Sequence, residues 1–253
     1  MDFTQLFKTY SALENPGFWQ EFYMKFYRAW FEADRWKTYL EGVGTTLIVT
    51  AMALIIGVIL GVVVAMIRTA HDQQRPGRHN PFLGVINFVC KAYVTVIRGT
   101  PMMVQLLIMG LVVFASNRNK TLIGALSLGI NSGAYVAEIF RSGIMSIDSG
   151  QLEAGRSLGF SYWQTMWYII MPQAFKNVLP ALCNEFISLL KETSVAGYIA
   201  LQDLTKGGDI IRSRTYDPLF PLLAVAVIYF IIVSIMTKIL GKVERRLRQS
   251  DSR

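Results

Sequence analysis

Charge, cysteine and histidine are all scarce in this sequence, and each scarcity closes off a class of chemistry. Only 17% of the 253 residues are Asp, Glu, Lys or Arg, against roughly 25% in soluble domains. Cys90 and Cys183 lie far apart in apolar surroundings, so they read as buried small residues rather than a disulfide or a metal site. His71 and His79 stand eight apart in a loop of Gln, Arg, Pro and Gly, a spacing that does not set two imidazoles on one helical face. No G-x-x-x-x-G-K-[ST] phosphate loop occurs. Gly241-Lys242 is followed by Val243 without the upstream glycine, so no ATP site is expected. Nor does any paired-carboxylate, histidine–metal or nucleophile–base constellation stand out, which argues against an enzyme. No fixed-period repeat or low-complexity tract is present. The N-terminus shows no short basic stretch running directly into an apolar core, so no cleaved signal peptide is expected. Lys and Arg number 25 against 17 acids, but no basic stripe lies in a soluble stretch, and nucleic acid is not an expected partner.

What is abundant is apolar surface: 53% of residues are hydrophobic and the mean hydropathy is +0.38. A spanning helix needs roughly 20 mostly apolar residues, because the hydrocarbon core is about 30 Å thick and a helix rises about 1.5 Å per residue. Segments 42–67, 92–115, 121–140, 178–201 and 218–240 meet this need. The expected fold is therefore an all-α integral membrane bundle of five transmembrane helices, residues 42–253, behind an N-terminal extension, residues 1–41. An odd number of spans puts the termini on opposite sides. The C-terminal tail carries Lys238, Lys242, Arg245, Arg246, Arg248 and Arg253, which assigns it to the cytoplasm and the N-terminus to the outside. Lys8, Lys25, Arg28, Arg35 and Lys37 oppose that second placement.

The extension has its own pattern. Phe18, Trp19, Phe22, Tyr23, Phe26, Tyr27, Trp30 and Phe31 recur as adjacent pairs every four residues, which makes one aromatic face on a helix. Asn15 can cap it with Pro16 at the first helical position. Such a helix either lies in the membrane interface or packs against the bundle, and both readings stand. Gly57 and Gly61 match the small-residue step that lets membrane helices approach closely.

The connection 141–176 is too long for a turn. Asp148 and Ser149 offer a helix start, Glu153 falls in the early turns where the helix dipole favours an anion, and Gly159 interrupts before an aromatic amphipathic stretch. This predicts helix, turn, helix, with Ala154 and Gly155 giving a small-residue surface for a partner's groove. Glu153-Ala154-Gly155, three residues, Gly159, nine residues, Ile169, one residue and Met171-Pro172 together resemble the EAA motif of ABC importer permeases. That pattern reads Glu-Ala-Ala, then Gly, Ile and Leu-Pro at the same spacings. Gly155 replaces its second alanine and Met171 its leucine.

Further stretches look like the polar amino-acid uptake branch of that family, along most of the chain. They are Arg98-Gly99-Thr100-Pro101 with Gln105-Leu106, 135–141, Asn184-Glu185, and Lys191-Glu192-Thr193-Ser194. The resemblance implies a type I importer permease of the bacterial cytoplasmic membrane, multi-pass, carrying a polar amino acid. It implies no cofactor on this chain, ATP and Mg being held by a partner ATPase dimer. A second permease subunit, identical or related, and an extracytoplasmic solute-binding protein complete the implied partners, with membrane lipid around them. Coupling to the ATPase falls to Glu153, Ala154, Gly155, Gly159 and Pro172.

Read from their own chemistry, the intramembrane residues keep alternatives open. Pro101 removes a backbone donor and kinks its helix or serves as a hinge. Arg98 snorkels, pairs with an acid or contacts substrate, and Glu138 suits an ion pair with Arg141 three residues on. Gln105 joins Arg98, Pro101 and Glu138 as a structural or gating position. Charge deep in the hydrocarbon costs about 2.5 to 3.5 kcal/mol per residue on insertion scales, so Glu185, Lys191 and Glu192 need a reason. Mutual pairing supplies one and a polar substrate pathway, with Thr193, another. A rival reading makes those charges the relay of an ion-coupled secondary transporter or channel, but leaves the EAA-like loop unexplained.

Overall fold

The computed structural model describes residues 3–13, 15–74 and 80–249, all of them helix or connection. His79 and Arg253, invoked above, lie outside the described residues. A short hairpin, α1 (Phe3–Ser11) and α2 (Phe18–Trp30), leads into α3 (Arg35–Asp72). Then come α4 (Pro81–Gly99), α5 (Met102–Ile108, continued by a π turn at Met109–Val113) and α6 (Lys120–Met145). The connection after α6 holds α7 (Ser149–Ser157) and α8 (Tyr162–Thr165), joined through a second π turn, Met166–Ile170, to α9 (Met171–Glu192). A 3-10 stretch, Thr193–Ile199, leads to α10 (Leu204–Thr215) and α11 (Leu219–Gln249).

Among the described residues α3, α4, α6 and α11 are long and apolar enough to cross a membrane. The fifth long helix, α9, carries Lys176, Glu185, Lys191 and Glu192 and is less apolar for that reason. It packs along α3, α6 and α11 rather than standing alone in lipid. The second span differs from the single helix expected over 92–115. Its apolar helix starts earlier, at Pro81, and ends at Gly99, because Pro101 cannot donate a backbone hydrogen bond.

The centre of the bundle is α6, where Ile123, Ala125, Leu128, Ala134, Val136 and Ala137 are all buried. Lipid tails are as apolar as these side chains, so close contact rather than water exclusion must hold helices together. Gly57 and Gly61 of α3 supply it. A methyl group at Gly61 would lie 2.6 Å from Val136 Cβ, and one at Gly57 3.0 Å from Ser132 Oγ. The small-residue step thus fits α3 against α6, while large apolar side chains such as Phe88 of α4 and Phe230 of α11 face outward.

The hairpin does not start where expected. Gly17 rather than Asn15 caps α2, and its N–H donates to Gln20 Oε1 at 2.8 Å, which moves the first helical residue from Pro16 to Phe18. Half of its aromatic face packs inward: Phe26 meets Phe220 of α11 at 6.4 Å between ring centroids, and Trp30 meets Tyr39 of α3 at 5.0 Å. The hairpin therefore sits at the end of the bundle formed by the starts of α3 and α11, opposite α7 and α8.

Candidate functional site

Two arrangements stand out, one in the connection after α6 and one between the helices of the bundle. The first is the α7–α8 knob. Asp148 Oδ1 accepts from Gly150 N at 2.8 Å and starts α7 as expected. At the other end Phe160 N donates to Gly155 O and Gly159 N to Arg156 O, each at 3.0 Å, with Gly159 at φ +86°. This is a Schellman closure, in which the left-handed residue just past the helix is nearly always glycine. The glycine of the motif is thus a helix stop. Ser161 starts the next turn by a capping box, its N–H donating to Gln164 Oε1 at 2.8 Å while its Oγ accepts from Gln164 N at 3.3 Å.

Closure folds α8 back on α7 so tightly that a methyl group at Gly155 would sit 2.5 Å from Thr165 Cγ2. Gly155 is consequently buried at the helix crossing, whereas Glu153 and Ala154 are exposed on the outer face. Pro172 is the second residue of α9. Its missing N–H follows the π turn, and Gln173 Nε2 donates to Ile169 O at 2.8 Å beside it. Tyr162 OH donates to Gln73 Oε1 at 3.0 Å, tying the knob to the end of α3, and burial pushes this phenol up to about 12, so it stays a neutral donor.

The second arrangement is a polar cavity of about 630 Å³ between α4, α6 and α9, lined by Arg98, Tyr135, Glu138, Arg141, Asn177 and Glu185 among others. Glu138 is held between Arg68 and Arg141, and Arg141 also reaches Asp72 at 3.4 Å. The expected local Glu138–Arg141 pair is present, at 3.4 Å, but the closer cation is Arg68 of α3. Glu185 Oε1 accepts from Ser132 Oγ at 2.7 Å. The Arg98 guanidinium lies 5.2 Å from the Tyr135 ring centroid, within cation–π range.

Gln105 explains how the α4–α5 break survives in the membrane. In an unbroken helix the N–H at position 101 would donate to Ile97 O; Pro101 has none. Gln105 Nε2 takes its place, donating to Ile97 O at 2.8 Å, and also reaches Thr100 Oγ1 at 2.7 Å. Its Oε1 accepts from Asn131 Nδ2 of α6 at 3.0 Å, which anchors the break to the centre of the bundle.

The structure regroups the residues singled out from the sequence. Glu185 shares its cavity with Arg98 and Glu138, whereas Lys191 is exposed and Thr193 is fully enclosed, its Oγ1 donating to Leu190 O at 2.7 Å. No ion pair joins Lys191 to Glu185 or Glu192 among the described residues. Tyr135, Asn177, Ser132 and Asn131 were not expected as individual site members. The signal for the last two was available as adjacent polar residues inside an apolar span.

Residues 81–249 match the family described as binding-protein-dependent transport system inner membrane component. The chain belongs to this family. The permease is 38% identical over 217 residues to the arginine transport system permease protein ArtQ of Bacillus subtilis, covering 84% of this chain and 93% of that one. It is 33% identical to the putative glutamine transport system permease protein GlnP of Rickettsia bellii, over 82% of this chain and 92% of that one. Among solved structures it resembles an amino acid ABC transporter crystallised with histidines, with a TM-score of 0.72, 42% identity, and coverage of 83% of this chain and 94% of that one. The inward-facing MetNI methionine ABC transporter shares the fold alone, with a TM-score of 0.71 at 19% identity over 83% of this chain and 96% of that one. The permease is accordingly a multi-pass ABC importer subunit of the cytoplasmic membrane, a non-catalytic component, and the ion-coupled alternative is not favoured.

Proposed function

We propose that this permease carries a polar amino acid inward, powered by a pair of separate ATPase subunits that grip the α7–α8 knob. The observation that carries the reading is the division of labour at the EAA-like segment. Gly155 and Gly159 are consumed in building a closed knob, and Glu153 and Ala154 are left outward-facing beside it. A rigid, small-surfaced knob transmits a push better than a loop. ATP and Mg would then be bound on the ATPases, with a solute-binding protein at the opposite end and a second permease, identical or related, across the pathway. Closure of the ATPase pair would draw the two knobs together and rock the bundles between packed states.

The cavity supports an amino acid as cargo. Glu138 is already compensated by Arg68 and Arg141, which leaves Arg98 and Glu185 as a cation and an anion lining the same cavity, each without an ion pair among the described residues. A zwitterion presents the complementary pair of charges. The relatives named for arginine and glutamine transport accord with a polar substrate. Co-purification of an ATPase with the wild-type chain, and its loss in Glu153→Lys with the chain still inserted, tests the coupling. An ATPase that binds the variant normally would remove α7 as the docking element.

A further inference from the structure

The N-terminal hairpin lies outside the matched family segment, and the transport cycle above makes no use of it. Its interior is closed by aromatic contacts: Phe7 stacks on Tyr27 at 4.5 Å, and Tyr23 OH donates to Phe3 O at 2.9 Å. Tyr27 and Ala29 of α2 are buried. The start of α2 is not. Phe18 is 73% exposed, Trp19 76% and Phe22 46%, and the three rings touch in series, at 5.3 Å and 6.1 Å between centroids. The series ends on Phe220 of α11.

That contact sets the height of the patch. Phe220 is the second residue of α11, a helix long and apolar enough to cross the membrane, so its first turn marks the level at which hydrocarbon gives way to headgroups. Leu219 and Leu223 on the same turns are 62% and 53% exposed, and as part of a spanning helix they face lipid. The α2 patch meets the first turn of this spanning helix through the Phe22–Phe220 contact. We infer that Phe18, Trp19 and Phe22 insert into the interfacial layer of the same bilayer, on the leaflet opposite the α7–α8 knob, and fasten the hairpin to the membrane.

The charges say what kind of attachment this is. Lys25 pairs with Glu21 at 2.6 Å, Arg35 with Glu32 at 2.7 Å and Lys37 with Asp34 at 2.7 Å, and the Arg28 guanidinium lies 5.8 Å from the Phe7 ring. With every cation of the segment but Lys8 turned to its own acids and rings, the segment holds the membrane chiefly by aromatic burial rather than by attraction to anionic headgroups. Tryptophan favours that layer because its flat amphipathic ring suits the boundary of apolar and wet phases, and phenylalanine supplies the apolar face that such a helix buries. A binding protein or a second copy of the chain could cover the same rings, but neither explains why the patch is seated on the first turn of a membrane-spanning helix.

The test uses the intact permease in lipid nanodiscs, comparing wild type with Trp19→Phe, a change that keeps an aromatic ring. The fluorescence difference between the two isolates Trp19 from the other tryptophans. Lipids brominated close to the headgroup should remove most of that difference signal and lipids brominated near the chain terminus little of it. The result should be the same in phosphatidylcholine discs and in discs containing phosphatidylglycerol. As an independent readout, an environment-sensitive dye at Phe18→Cys, in a chain with Cys90→Ser and Cys183→Ser, should emit in the blue range typical of an interface. A Trp19 signal untouched by brominated lipid and quenched by aqueous iodide would overturn the inference. So would shielding from iodide that appears only when the solute-binding protein is added, or only when two permease copies associate.

Discussion

Replacing Gly155 with alanine restores the common EAA pattern, yet the geometry here predicts damage. The added methyl carbon would lie 2.5 Å from Thr165 Cγ2 and 2.7 Å from Thr165 Oγ1, whereas carbon atoms rest about 3.5 to 4.0 Å apart. The α7 and α8 axes must therefore separate by about 1 Å, or the Thr165 side chain must leave its rotamer. Overpacking of this kind costs about 1 to 3 kcal/mol, and the better helix propensity of alanine returns up to about 1 kcal/mol. The balance is a loss of up to about 2 kcal/mol in closing the knob, where about 1.4 kcal/mol is tenfold in an equilibrium. Transport by the permease reconstituted with its ATPase and binding protein should fall several-fold, and protease should cut 141–176 faster. Thr165→Ala removes both clashing atoms, so the Gly155→Ala/Thr165→Ala pair should recover most of the loss despite giving up the Thr165 Oγ1 bond to Ser161 O. Thr165→Ser, which keeps Oγ1, should rescue less. A Gly155→Ala variant that transports and resists protease like wild type, or a double variant no better than the single, would show that the crossing does not limit coupling.

Other outcomes follow from the same geometry. Gln105→Leu leaves the Ile97 carbonyl without a donor inside the bundle, a cost of about 1 to 3 kcal/mol, and should lower the melting temperature in detergent, with an unchanged midpoint counting against the repair role. Arg98→Gln and Glu185→Gln should each raise the KM for uptake more than they lower the maximal rate, and equal KM values across wild type and both variants would remove the cavity as the substrate path. For Tyr162, burial raises the folded phenol to about 12 from its ordinary 10.0. The folded state therefore holds the proton more tightly, and its contribution is full below pH 10.0 and lost as pH climbs towards about 12. Proteolysis of the 141–176 segment should accelerate across that window in wild type and show a smaller change in Tyr162→Phe; identical profiles would exclude this phenol.

How much could be read from the sequence depended on how local each feature was. The knob was legible because its cap, its stop and its small residues all lie within twenty or so positions, and each has one physical reason to be where it is. The spans were legible by composition, but the start of α4 was not, since Gly84, Asn87 and Lys91 dilute the apolar run that Pro81 begins. Grouping the charges by helix spacing put Glu185 with Lys191 and Glu192. The fold instead sets Glu185 against Ser132, 53 residues away, and Glu138 against Arg68, 70 residues away. Such partners depend on how α3, α6 and α9 are placed around one another, which no local pattern encodes. The aromatic extension was half legible: the periodicity marked a helix, but only the contact with Phe220 decides which rings pack and which remain outside.

The most direct test of the account is uptake into proteoliposomes that contain this permease, an ATPase subunit and a solute-binding protein. The account predicts accumulation of a polar amino acid that requires ATP and binding protein, is abolished by Glu153→Lys, and leaves the isolated ATPase unaffected. Uptake by the permease alone, driven by an ion gradient and indifferent to Glu153, would contradict it.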